Sequence, residues 1–149
     1  METKDDRSFN CAESVLIRAN NENPIPDYSD CCMKITSVLG GGIAGTGEVC
    51  GAISGSIICL ALLLGSNGNE SLKDFKSKRS KARETIKTVM NDFNHDWGSI
   101  HCRDLSAMDN GSSPQRGICR NDETPHKRCE DYVNWAVQKI SDIRDHPLE

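Results

Sequence analysis

Several things are scarce or missing in this chain. Aromatic residues make up only 5% of its 149 positions, a lean supply, although 36% hydrophobic residues, clustered along the chain, still suit a globular protein. No segment has the 18 or more consecutive apolar residues of a membrane helix. The first ten residues, METKDDRSFN, are polar and acidic, unlike a secretory signal peptide, so a reducing cytoplasm is the expected compartment. The net charge is −4, which gives no reason to expect a nucleic-acid binder. No long alternation of apolar and polar residues is present, so no sheet is expected. A catalytic triad, a pair of acid–base carboxylates and a metalloprotease motif are all lacking, so no class of enzyme is indicated.

The periodic segments read as helices instead. The expected segments run over roughly 9–20 (with Ser8 as cap), 29–39, 48–65, 71–94 and 126–144, and a further short helix follows Cys102. The third segment has no charge from Val49 to Gly65 and is apolar nearly all round, as a buried central helix would be. Its Gly51 and Gly55 lie four apart, leaving one stripe almost bare for a neighbouring backbone. The fourth carries Phe75, Ala82, Ile86, Val89, Met90 and Phe93 on one face. Length and pattern together predict an all-α fold, one domain over 1–147 built as a bundle of about five helices around the third. Leu148-Glu149 reads as a cloning scar without functional weight.

Several candidate motifs carry little. Gly40-Gly41-Gly42-Ile43-Ala44-Gly45 matches GxGxxG, but a helix precedes it and no acidic residue stands about 20 positions on, so it reads as a flexible lead into the third helix. Lys73, Lys76, Arg79, Arg83 and Lys87 form a basic stripe on the fourth helix. Residues 1–72 sum to −5 and 73–104 to +3, so the stripe reads first as a solvated face balancing an acidic remainder, with phosphate or an acidic partner protein as the alternative. The histidines at 95, 101, 126 and 146 form no spaced ligand pair. His101 adjoins Cys102 and is a candidate to tune its thiol or share a metal.

What the chain has in quantity is cysteine, eight residues at 11, 31, 32, 50, 59, 102, 119 and 129. None falls in CxxC, CxxCH or a close ferredoxin spacing, so any shared site must be assembled by the fold. Cys11, Cys50, Cys102 and Cys129 all lie near expected helix starts, where free N–H groups and the positive dipole end stabilise a thiolate and would lower its pKa. Cys59, among Ile58, Leu60 and Leu62, reads as a small core hydrophobe. Cys31 and Cys32 are neighbours, for which two free thiols are expected rather than a strained bridge. With Cys119 they are treated as passengers.

Phe9-Asn10-Cys11-Ala12, Gly40-Gly41-Gly42-Ile43, Gly47-Glu48-Val49-Cys50-Gly51-Ala52-Ile53-Ser54-Gly55, Trp97-Gly98, His101-Cys102-Arg103-Asp104-Leu105 and Cys129 are together recognisable. Over about 9–137 the chain resembles the C-GCAxxG-C-C family of bacterial and archaeal proteins, although that label writes Gly-Cys-Ala where this chain reads Cys50-Gly51-Ala52. The resemblance implies that Cys11, Cys50, Cys102 and Cys129 are the family's four cysteines and that the protein is redox-active. A similar domain in multi-centre cytochromes raises the expectation of an iron–sulfur cluster. The expected function is electron transfer through the four cysteines, as catalytic or cofactor-binding residues, by a cluster or by a reversible disulfide, with a redox protein as partner. The alternatives are a structural zinc module on the same cysteines with His101, and an interaction protein whose cysteines merely pack.

Overall fold

The computed structural model describes residues 8–109 and 128–147. Cys119, His126, the expected first turn at 126–127 and the Leu148-Glu149 end lie outside them. Among the described residues there are six helices and no strand: α1 (Cys11–Glu22), α2 (Asp30–Thr36), α3 (Gly51–Leu64), α4 (Leu72–Trp97), α5 (Cys102–Asp109) and α6 (Cys129–Asp145). The count exceeds the expected five because the short segment after Cys102 is a helix in its own right. None is long and apolar enough to cross a membrane.

Local chemistry sets the ends. α1 is capped by Asn10 rather than Ser8: the Glu13 amide donates to the Asn10 side chain at 2.8 Å and the Asn10 amide donates to Glu13 Oε1 at 3.0 Å, a reciprocal capping box. α3 starts at Gly51, three residues later than its expected start at 48, because the backbone ahead of it is extended and Val49 pairs with His101 in an isolated antiparallel bridge. α4 opens on Ser71, whose Oγ accepts from the Asp74 amide, and outlasts its expected end by three residues to stop at Gly98, with φ +89°.

α3 packs against α1, α2, α4 and α6, and α1 also packs against α6. The bare stripe explains the closeness of α1 and α3. A Cβ added at Gly55 would lie 2.8 Å from Ala12 O, backbone that cannot swing aside. Val15, Leu16, Ile53, Leu60, Val89, Phe93, Tyr132 and Ile140 fill the core. Two expectations need correction. The second half of α3 is only partly covered, with Ile57, Ile58, Leu62 and Leu63 half-buried. In α4 the core face begins only at Thr85, and no residue from Leu72 to Glu84 is buried, Phe75 and Ala82 included. The first half of α4 therefore stands clear of the core.

The glycine-rich segment is not a loose lead. Gly41, Gly42, Ile43, Ala44 and Gly45 all have φ between 50° and 75°, five consecutive left-handed residues. Amide bonds hold the turn: Ala44 to Val38 O at 2.8 Å, Gly45 to Gly40 O at 3.0 Å and Glu48 to Gly42 O at 2.8 Å. For Ile43 and Ala44 this backbone costs roughly 1–2 kcal/mol each, because Cβ crowds the following carbonyl.

Candidate functional site: four thiols at four helix starts

Cys11, Cys102 and Cys129 are the first residues of α1, α5 and α6, and Cys50 caps α3. The bridge between Val49 and His101 brings two of these starts side by side. The Cys50 amide donates to Ile100 O at 2.8 Å, and the Cys102 amide donates to Glu48 O at 2.7 Å. The left-handed turn closes over them: a Cβ at Gly42 would fall 2.7 Å from Cys102 Cβ. Arg103 clips the same segment, donating to Gly47 O and, at 2.7 Å, to Glu48 Oε1. Cys11 reaches the group across the glycine stripe, where a Cβ at Gly51 would lie 2.9 Å from Cys11 Cβ.

Cys129 arrives from the far end of the sequence. The start of α6 is held by its neighbours: the Arg128 amide donates to Asp109 Oδ2, the Tyr132 hydroxyl donates to Asp109 Oδ1 at 2.7 Å, and the Arg128 guanidinium sits 4.5 Å over the Trp97 ring. These contacts tie α6 to the ends of α5 and α4 and bring Cys129 near Cys11, close enough for hydrogen bonding between the two thiols to raise the Cys11 pKa.

The four sulfurs share one electrostatic neighbourhood. Cys11 is shifted far above the usual thiol range, first by its bond to Cys129, then by burial, then by the Cys129, Cys50 and Cys102 charges. Burial pushes Cys50 up to about 12. The Ala52 and Ile53 amides at the start of α3 pull it the other way, without closing a capping bond, and Cys102 and Cys129 add to the rise. The helix-start argument for a lowered Cys50 pKa is thus corrected: the amides point the expected way, but loss of water around the sulfur outweighs them. Cys50, Cys102 and Cys129 are buried, leaving Cys11, half-buried, as the accessible member.

Among the described residues no group of three or more His, Cys, Asp or Glu side chains is placed to hold a metal ion. The donor set would suit zinc or an iron–sulfur cluster by its softness, but the closest coupling is between Cys11 and Cys129, with Cys50 and Cys102 acting on Cys11 more weakly. His101 is fixed through its backbone, by the Val49 bridge and by its amide donating to Ser99 Oγ at 3.0 Å.

Sequence reasoning missed two supports of the site. Asn10 holds Cys11 through the capping box and also donates from Nδ2 to Thr36 O and Ser37 O, pinning the start of α1 to the end of α2. The Asn10-x-x-Glu13 spacing carried that signal. Arg103 had none, since its acceptors, the Gly47 and Thr46 carbonyls and the Glu48 carboxylate, lie 55 or more positions away along the chain. Cys59, expected as a passenger, is pushed up to about 12, first by burial and then by nearby Cys32, and both belong to the same hydrophobic core.

The fold and site define an all-helical protein whose ordered chemistry is concentrated in thiols. The family described as Putative redox-active protein (C_GCAxxG_C_C) matches residues 9–143, and the chain belongs to it. No curated protein and no solved structure matches the chain.

Proposed function

We propose that this protein is a dithiol–disulfide redox carrier whose working pair is Cys11 and Cys129. The observation that carries the reading is the closeness of these two thiols at the starts of α1 and α6, near enough that hydrogen bonding to Cys129 is the first cause of the raised Cys11 pKa. In the oxidising half-reaction Cys11, the accessible thiol, attacks a disulfide of a partner redox protein as its thiolate. A mixed disulfide forms and one partner sulfur leaves. Cys129 then attacks the Cys11 sulfur and releases the second. One S–S bond has formed and one has broken. Two electrons and two protons have passed from Cys11 and Cys129 to the partner, which departs as a dithiol.

Cys50 and Cys102 stand close enough to the pair that their thiolates, where formed at alkaline pH, disfavour the Cys11 thiolate. The single domain over 1–147 belongs to the same reading.

The test starts from anaerobic purification, with a visible spectrum and counts of iron, sulfide and zinc, followed by thiol titration before and after mild oxidation. The expected result is a colourless, metal-free chain that reversibly loses two thiols, mapped to Cys11 and Cys129, with Cys11→Ser and Cys129→Ser each abolishing the loss. Stoichiometric iron and sulfide, with colour lost in a Cys→Ser variant at each of the four positions, would replace this reading by a cluster. Stoichiometric zinc without a redox response would replace it by a structural zinc site.

A further inference from the structure

The basic stripe gains a different meaning from its place in the fold. Residues 73–87 hold seven lysines and arginines against Asp74 and Glu84, a net of +5 in a chain of −4, so everything else sums to −9. This stretch begins in the half of α4 that stands clear of the core. Lys87 pairs with Glu84, and Lys78 pairs with Glu70, whose carboxylate is already engaged by Ser66 and the Asn67 and Gly68 amides. Lys73, Lys76, Arg79, Lys81 and Arg83 have no carboxylate within 4.0 Å among the described residues. A shallow groove runs along this face, lined by Phe75, Lys76, Arg79, Ser80, Arg83, Lys87 and the single acidic residue Glu84, which Lys87 neutralises.

We infer that this face is a docking surface for an acidic protein, one that presents a row of carboxylates at helical spacing. Lys76, Arg79, Arg83 and Lys87 succeed one another by three or four residues, so their charged ends form one ridge along the helix. Aspartates or glutamates three and four apart on a partner helix repeat with the same pitch, and the two arginine forks can each grip a carboxylate through two bonds.

Charge and shape favour this occupant over other polyanions. Phe75, the single aromatic residue lining the groove, already has the Arg79 guanidinium over one face of its ring at 5.7 Å from the centroid, which leaves little aromatic surface for a row of nucleic-acid bases to stack on. An extended phosphate backbone would also run along a molecule that is acidic elsewhere, whereas a compact carboxylate row meets only the stripe. A helix lying on a membrane needs a free apolar face opposite its cations. On α4 the apolar face at Thr85, Val89 and Phe93 is buried in the core, and the free half continues it only with Leu72, Phe75 and Ala82, a short apolar supply for such a helix.

The surface is remote from the thiols. From Arg79 to Trp97 the helix rises about 27 Å at 1.5 Å per residue, and Trp97 lies at the thiol end, beneath Arg128. A protein seated on the stripe leaves Cys11 open, so docking and thiol exchange are separate properties.

The experiment measures binding of the full chain to a fluorescent helical peptide with glutamates three and four apart on one face. A peptide with glutamines at those positions, a single-stranded RNA of equal charge and anionic phospholipid vesicles serve as comparisons. The expected result is salt-sensitive binding of the glutamate peptide, tighter than binding of the RNA or vesicles. It should weaken by about tenfold or more in Arg79→Glu/Arg83→Glu, and less in Arg79→Lys/Arg83→Lys, which keeps the charge but loses the fork. Because both positions are exposed, helix content and the thiol count after oxidation should match the parent chain, which separates this outcome from any result on the disulfide. Equal affinity of the charge-reversed variant would overturn the proposal, as would tighter binding of the RNA or of the vesicles.

Discussion

At the scale of single residues, the chemistry of the site turns on where the protons sit. Cys11 is the accessible thiol, yet its bond to Cys129 and its burial hold its proton well into the alkaline range. Its reactive thiolate is therefore a minor species at neutral pH. Thiolate exchange at Cys11 should be slow at pH 7 and accelerate about tenfold per pH unit while the pH stays below its pKa. Stopped-flow reaction with a small aromatic disulfide, read on Cys11 by peptide mapping, checks this, and a rate that is flat between pH 6 and pH 9 would contradict it.

At the scale of elements, the strained turn before α3 offers the cleanest substitution. Ala44 is exposed and left-handed, with φ 50°, so its methyl contributes little packing and some steric cost. Ala44→Gly should stabilise the fold by about 1 kcal/mol, as relief of the Cβ clash exceeds the entropy glycine adds to the unfolded chain. Equilibrium denaturation reads it as a higher midpoint at unchanged slope. The same turn shows where the sequence was legible and where it was not. Five helices, the helix-start placement of Cys11, Cys50, Cys102 and Cys129, and the close face at Gly51 and Gly55 followed from periodicity, capping and residue size, which act within a few positions. The left-handed run was not legible, because Ile43 and Ala44 do not favour that backbone and adopt it only under long-range hydrogen bonds. The contact of Cys11 with Cys129 was equally hidden, since it depends on how α1, α4, α5 and α6 meet. The basis for Phe75 as a core residue was period alone, and period cannot tell a face that packs from one that runs past the end of the core.

At the scale of the whole molecule, buried thiols link folding to pH. Cys50 and Cys59 stand at about 12 in the folded chain against an ordinary value of 9.0, both chiefly through burial. Below pH 9 both are protonated whether folded or unfolded, and their contribution is fully present. Between 9 and 12 the unfolded chain releases these protons while the folded chain keeps them, so stability falls as pH rises. Each thiol contributes about 1.4 kcal/mol per pH unit to that slope. The melting temperature of the reduced protein should hold steady from pH 7 to about pH 8.5 and drop steeply above 9, and Cys59→Ala should reduce the steepness even though it lowers the starting value. Calorimetry across that range under reducing conditions is the check.

The seating of Cys11 and Cys129 at the two ends of the described chain has a consequence for the driving force of the proposed reaction. A bond between them would close a loop containing nearly all of the fold, and closing a loop of about 100 residues removes roughly 4.7 kcal/mol worth of freedom from the unfolded chain. By reciprocity, whatever the bond adds to the fold, the fold returns to the bond. At about 30 mV for each 1.4 kcal/mol in a two-electron couple, the native helices would make this dithiol a stronger reductant than the same two cysteines in a loose chain. The scaffold would then be part of the redox potential, and any partner that loosened α1 from α6 would also change the direction in which electrons prefer to move.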